Sequence, residues 1–375
     1  METLRVLHII DTLDIGGAEK LLVGVVNGLP KCEHHVIYLS GKHTLSDQLP
    51  AHCNVVKLGY YSRFDLPRCV YRLRKYIRRH NINIVHSHLF MSSFIARLAC
   101  PSNCRLISTI HSLSGKIRYN HSPIISMLDK MAYRKRHEII AVSDEVYDSF
   151  DTEVGIKGRA WVLPNFAGDA FFQPEPRKTS FDKIPRLVAV GNLKKVKNYH
   201  FLLDSFKFLS ATVQLDIYGT GELKESLQQK IDEYNLPVRL CGESDRLPEL
   251  LPQYDAFIMA STYEGHPLAL LEAMASGLPV ILSDIPALRK VAGDDALYFK
   301  PHDTVALASL LADVRDKKID LDPIAAINHQ KVKQKASSLP YLRKLMMIYM
   351  NASSELVDLP VQEKRRISTR FQEVG

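Results

Sequence analysis

The chain is poor in the residues that would make it a membrane or disulfide protein. It has one tryptophan and six cysteines in 375 residues. No apolar run reaches the ~18 residues that a spanning helix needs. The longest apolar region, around residues 267–282, carries Glu272 and Pro279. The first apolar run, residues 6–10, is short and interrupted by His8, so no signal peptide is read there. Cys32, Cys53, Cys69, Cys100, Cys104 and Cys241 form no dense framework, and two domains of this size need no staples. They read as free thiols in a reducing compartment. Cys100 and Cys104 are the one close pair, without a second Cys/His pair at zinc spacing. A strand–G-x-G-x-x-G–helix unit is missing, which argues against a dinucleotide-dependent dehydrogenase. Basic residues are not interleaved with aromatics in a recognisable motif, which argues against nucleic acid. The expected location is the cytoplasm, with peripheral attachment to the inner face of a membrane as an option.

What is present is ordinary globular material. Apolar residues make up 46% and charged residues 24%. At roughly 100–200 residues per domain, the length suits two cores. The formal charge of +8 favours an anionic partner, whether a membrane surface or a phosphate-rich small ligand.

Short apolar strands alternate with helical stretches in two series. The first has strands expected at 4–10, 34–39, 82–86, 106–111, 138–142 and 161–163, with helices at 20–29, 66–80, 92–99 and 124–136. Residues 167–185, with several prolines and no clean period, read as a linker. The second series starts at 186 and continues through strands at 213–218, 238–240, 256–259 and 280–283, before a last helix at 341–351. The tail after Asp358 is polar. Such alternation implies an α/β fold with two doubly wound, Rossmann-like β-α-β domains, 1–166 and 186–336, facing a central cleft. Ligands in such sheets sit beyond the carboxyl ends of the strands. The polar residues there are Gly16 and Gly17, His86 and His88, His111, and Ser143.

The sharpest local signal runs from Glu264 to Val280. Glu264 follows the strand at 256–259. Pro267 suits a first helical turn. Gly277 and Pro279 stop the helix. Glu272 lies on an otherwise apolar helix, where an ionised carboxylate is costly unless paired. Both carboxylates could therefore bind ligand hydroxyls at the helix start. Equally, Glu264 could cap the helix and Glu272 be solvated. Gly219-Thr220-Gly221 reads by itself as turn geometry. His86 and His88 alternate along a strand, so they are not expected to share a face, and no third metal ligand is apparent. On the helix at 66–80, Arg68, Arg72, Lys75 and Arg79 share one side, and Val70, Leu73 and Ile77 another. That basic side is either solvated or a dock for an anionic membrane.

Taken in order, these pieces resemble the retaining glycosyltransferases of family 4 (group 1), which have the GT-B architecture. Glu264 and Glu272 match the family's E-x7-E element. Gly16-Gly17-Ala18-Glu19 resembles its N-terminal glycine loop, and His86-Ser87-His88 and Ser108-Thr109-Ile110-His111 its histidine strands. Ala141-Val142-Ser143 and Asn165 resemble the elements before its linker. Gly191-Asn192-Leu193 with Lys197-Asn198, Tyr218-Gly219-Thr220-Gly221-Glu222-Leu223 and Cys241-Gly242 resemble its next strand ends. The likeness spans roughly residues 5–350.

The resemblance implies roles for individual residues. Glu272 would hold the nucleotide ribose. Glu264 would bind donor-sugar hydroxyls, with Gly265, His266, Pro267 and Leu268 around it. Lys197 would neutralise the diphosphate, which Gly16 and Gly17 would let approach closely. Asn192, Gly219 and Gly221 would complete the donor site, and His111 would sit by the transferred sugar. Asn192 departs from the usual arginine, and Lys194 or Lys195 could substitute. No metal and no cofactor is expected beyond the nucleotide-sugar donor. The acceptor would be a glycan or lipid-linked, in surface polysaccharide or glycolipid assembly. A C-terminal helix, 337–358, would pack back on the first domain, leaving 359–375 as a polar tail. The alternatives are a sugar-nucleotide epimerase or phosphorylase of the same architecture, or a non-catalytic sugar-nucleotide-binding protein.

Overall fold

A computed structural model describes residues 3–113, 123–173, 175, 184–209 and 212–351. The polar tail, and residues 174 and 176–183 of the proline-rich stretch read as linker, lie outside them. The chain divides into two compact units, Met1–Asn165 with Ser338–Gly375, and Phe166–Ser337.

The first unit is built on a seven-stranded, all-parallel sheet ordered β3-β2-β1-β4-β5-β6-β7. Its strands are β1 (Arg5–Ile10), β2 (Glu33–Tyr38), β3 (Asn54–Lys57), β4 (Ile84–His88), β5 (Arg105–Ile110), β6 (His137–Ala141) and β7 (Ala160–Val162). A parallel sheet is covered on both faces, so its strands read as near-continuous apolar runs. Alternation assigns the faces. Leu7 and Ile9 pack with α2 (Leu66–Arg79) and α3 (Phe90–Ala99). Ile10 packs on the other side with Leu22 and Val26 of α1 (Gly17–Gly28). The C-terminal helix, Ser338–Tyr349, also belongs to this unit. It contacts α1, and Arg105 donates to the carbonyls of Ile348 and Tyr349.

The second unit has a six-stranded parallel sheet ordered β10-β9-β8-β11-β12-β13. Its strands are β8 (Arg186–Val190), β9 (Gln214–Tyr218), β10 (Val238–Gly242), β11 (Ala256–Met259), β12 (Val280–Ser283) and β13 (Leu297–Phe299). Leu187, Ala189 and Ile258 face one apolar layer, and Val188, Phe257 and Met259 the other. Ala167 and Phe171 pack into this second layer, and the Ala167 amide donates to the carbonyl of Ala336. The first residues of the expected linker are thus part of this unit's core.

Edges account for the main differences from expectation. β3 and β13 were not anticipated, being short strands at sheet margins with weak alternation. β4 runs two residues beyond the expected end, taking His88 into the sheet.

Candidate active site

In the second sheet the chain steps outward from β8 to β9 and β10, then crosses back to β11 on the other side of β8. The loops after β8 and β11 therefore leave adjacent strand ends at the point where winding reverses, the usual ligand crevice of such sheets. The first loop makes a tight turn at Lys195–Lys197 and enters the helix Tyr199–Phe206 through Asn198, whose left-handed φ of 56° asparagine tolerates. The amide of Thr262 donates to the carbonyl of Val196 and ties the two loops together.

Across that junction the Lys197 ammonium meets Glu264 Oε1 at 2.6 Å, both side chains largely buried. Ser261 Oγ donates to the same oxygen at 2.6 Å, and Ser283 Oγ fixes the carbonyl of Ser261. Behind them Tyr199 donates to the carbonyl of Gly191. Burial, with the Glu264 charge, holds its phenol well above the usual range, so it stays a neutral donor.

The helix after β11 begins at Leu268, with Pro267 as its extended N-cap rather than within the first turn. Glu264 thus precedes the helix, and its carboxylate is committed to Lys197 and Ser261. Glu272 is 3% exposed, so it is not a solvated surface group. The helix closes as a Schellman motif. The Leu278 amide donates to Ala273, that of Gly277 to Met274, and Gly277 takes φ 75°. Gly265, His266 and Leu268 are half-buried beside Glu264.

The glycines after β9 serve close packing. A Cβ on Gly219 would run into the carbonyl of Gly191, and one on Gly221 would lie 2.6 Å from the carbonyl of Leu193. Backbone bonds from Leu193 to Thr220 and from Leu223 to Leu193 lace the two loops. Asn192 is exposed on the turn between them, as are Lys194 and Lys195.

In the first unit, β1 and β4 flank the equivalent reversal. Gly16 is the N-cap of α1 and Gly17 its first residue. Glu19 is buried and accepts from Thr12 Oγ1, and burial raises its carboxyl. Asp11 accepts from the amide of Ser92 and holds the start of α3. Between them lies a histidine cluster. Contrary to the expectation that they would diverge, His86 and His88 share a face, with ring centroids 4.3 Å apart. The reason is elementary, since positions i and i+2 of a strand point the same way. His8 joins them from β1, in register with His86. His86 bonds Tyr349 Oη at 2.6 Å and Thr109 Oγ1 at 2.7 Å. His8 bonds His34, and His88 Nδ1 lies 3.3 Å from His111 Nε2. Burial pushes His111 down to about 4 and holds His8, His86 and His88 well below the ordinary value, so the cluster is neutral.

Among the described residues, His8, His86 and His88 are the one group at metal-ligand spacing. The fit is poor, because both His86 nitrogens are already engaged, by Tyr349 and Thr109. Leu89, directly after β4, takes φ 68° and ψ 174°, a region otherwise left to glycine, and turns the chain sharply into α3.

The structure thus brings Lys197, Glu264 and the 191–193 and 219–221 loops together in the second unit, and His88 and His111 in the first. Sequence reading missed Ser283, Tyr199, His34 and Tyr349, gave no role of their own to Ser261 and Thr109, and took His8 only as a break in an apolar run. A histidine inside a buried strand was the one available signal.

Residues 15–167 match the family model Glycosyltransferase Family 4, and residues 184–316 match Glycosyl transferases group 1. The chain belongs to this glycosyltransferase family. Its two Rossmann-like domains are those of the GT-B architecture. The Anabaena protein Alr3699/HepE, solved with UDP and glucose, superposes with a TM-score of 0.79 at 16% identity, over 93% of this chain and 100% of that one. An Escherichia coli UDP-Gal:alpha-D-GlcNAc-diphosphoundecaprenol alpha-1,3-galactosyltransferase is 26% identical over 276 residues, 66% of this chain and 70% of the relative. A Staphylococcus aureus capsular polysaccharide biosynthesis glycosyltransferase, CapH, is 25% identical over 307 residues, 75% and 82% of the two chains.

Proposed function

We propose that this glycosyltransferase moves a hexosyl-type sugar from a nucleotide-diphosphate donor to a glycan or lipid-linked acceptor in surface polysaccharide or glycolipid assembly, retaining anomeric configuration and using no metal. The observation that carries the reading is the Lys197–Glu264 contact at the strand reversal of the second sheet. It sets a cation for the diphosphate beside a carboxylate for sugar hydroxyls. The UDP ligand of the Anabaena structure and the lipid-diphosphate acceptor named for the Escherichia coli relative point the same way.

In this reading Lys197 balances the charge that grows on the leaving diphosphate as the anomeric C–O bond breaks. Glu264 holds the sugar and Glu272 the ribose. Gly16, Gly17, Asn192, Gly219, Gly221 and the residues Gly265–Leu268 shape the donor site. His111, neutral, donates to the transferred sugar. The acceptor hydroxyl attacks from the face the diphosphate leaves, and a donor phosphate oxygen takes its proton. The protein works in the cytoplasm, against the inner membrane face.

The test is turnover with a panel of UDP- and GDP-sugars, with product anomers read by NMR. Loss of turnover in Glu264→Gln and Lys197→Met, with a retained anomer in the parent protein, supports the reading. An inverted product, a trapped glycosyl-enzyme adduct, or a requirement for added divalent cation would each overturn part of it.

A further inference from the structure

The helix Pro123–Ala132 exposes an unusual stripe. Ile124 is 63% exposed, Met127 56%, Leu128 40% and Met131 71%. Their spacing places all four on one helical face. The opposite face is anchored. Asp129 pairs with Arg97 of α3 at 2.5 Å, both side chains almost fully buried, and Ile125 and Ala132 pack on the core. The stripe is therefore held outward by a fixed helix.

Along the helix itself the exposed charges are all basic, although the acid-rich helix Asp144–Val154 packs nearby through Phe150 on Tyr133. Lys130, Arg134 and Lys135 are exposed along and just beyond the helix, and Asp129, the one acidic residue from 124 to 136, is buried in its ion pair. Lys157 Nζ lies against the carbonyls of Lys130 and Tyr133. On the far side of α3 lies α2, which has no acidic residue. Arg72 and Arg74 of α2 donate to backbone carbonyls of Leu58, Leu98 and Ala99, but Arg68, Lys75, Arg78 and Arg79 are exposed. Phe64 and Tyr71 are exposed beside them.

We infer that the helix Pro123–Ala132 enters the interface of an anionic lipid bilayer, with its own lysines and the basic α2 drawn to the headgroups. An apolar stripe with exposed cations along its own helix suits the boundary between acyl chains and negative headgroups. An acidic protein partner would supply the charge but no apolar bed of this kind. The helix follows β5, the strand that ends before His111, so docking holds that strand end near lipid-linked acceptors. This deepens the acceptor half of the proposed function and rests on it for purpose only. Binding to lipid stands or falls by itself.

The test is co-sedimentation of the full chain with phosphatidylcholine vesicles, with and without phosphatidylglycerol. The parent protein binds the anionic vesicles, and binding weakens as salt shortens the screening length. Met127→Asp with Met131→Asp lowers the partition coefficient at least tenfold, and Lys130→Glu with Lys135→Glu does so on anionic vesicles. Parent-like unfolding melts by circular dichroism report that the first unit of each variant folds, and thermal stabilisation by UDP-sugars, which reads the second unit, stays as in the parent. Unchanged partitioning of both variants, or a parent dimer that the methionine substitutions dissolve without altering vesicle binding, overturns the inference. Absence of donor stabilisation in every protein would instead sink the proposed function and leave the vesicle result standing.

Discussion

The two units share one winding scheme yet arm their strand ends oppositely. In the first, the reversal between β1 and β4 is filled by buried, neutral imidazoles hydrogen-bonded to one another and to Tyr349 and Thr109. In the second, the reversal between β8 and β11 carries a formal ion pair, Lys197 with Glu264, steadied by serines and glycine-laced loops. A site for a diphosphate needs charge beside water-accessible backbone. A site for a neutral sugar hydroxyl needs donors and acceptors that do not ionise. One scaffold can carry either kind of strand end, because the strand-end loops are chemically independent of the sheet beneath.

The largest effect expected from breaking this contrast is in turnover. Lys197→Met removes the only cation in that pair, and transfer should fall by about 10²–10³, the usual loss when one stabiliser of a leaving group is deleted. A steady-state assay with a sugar nucleotide reads it, and a loss under tenfold would mean the charge asymmetry between the units is not used.

Acid should distinguish the units next. The folded His111 titrates near 4 and burial with nearby arginines pushes His137 to about 3, whereas an unfolded histidine protonates near 6.5. Between those values the unfolded chain binds the extra proton, so the first unit loses stability as pH falls from about 6.5 to about 4. His111 alone contributes up to about 3 kcal/mol over that window. Denaturant titrations at pH 7 and pH 4.5 should show the first unit giving way first, and equal sensitivity would refute the buried-imidazole account.

Packing gives a smaller effect. Gly219→Ala presses a methyl against the Gly191 carbonyl, while Gly242, at φ 73°, has nothing within 4 Å of a built Cβ. Gly219→Ala should cost about 1–3 kcal/mol from crowding, on top of the strain at its φ of 142°, and weaken donor binding as the loops part. Gly242→Ala should show only the left-handed penalty of about 1–2 kcal/mol. Calorimetry compares them. Comparable in size is Tyr349→Phe, which leaves His86 Nδ1 short of its partner and should cost about 1–3 kcal/mol in the first unit alone.

Much of this was legible in the primary structure, and the reasons are local. Runs such as residues 6–10, apolar but for His8, and Ala256–Met259 declare buried parallel strands by being apolar nearly throughout. The stretch from Glu264 to Gly277 declares a loop, a helix start and a glycine stop, although the start was placed one residue early at Pro267. What local pattern could not show was which side chains meet. Ser261 and Tyr199 carry no distinctive spacing, although each bonds within its own loop, to Glu264 and to Gly191, and the meeting of Lys197 with Glu264 exists only because β8 and β11 are neighbours. The histidine pair was misjudged by applying strand alternation to residues one step too close.

By itself, then, the order of residues determined two β-α series, their strand ends and the types of group that would stand there, since periodicity and turn chemistry act over a few residues. Only the tertiary structure decided that Lys197 meets Glu264 across 67 positions, and that His8, His86 and Tyr349 share one buried cluster. It also decided that Ile124 and Met131 face outward while Asp129 is locked to Arg97. Those outcomes depend on strand order and on which faces are buried, and both are set by the packing of the whole sheet.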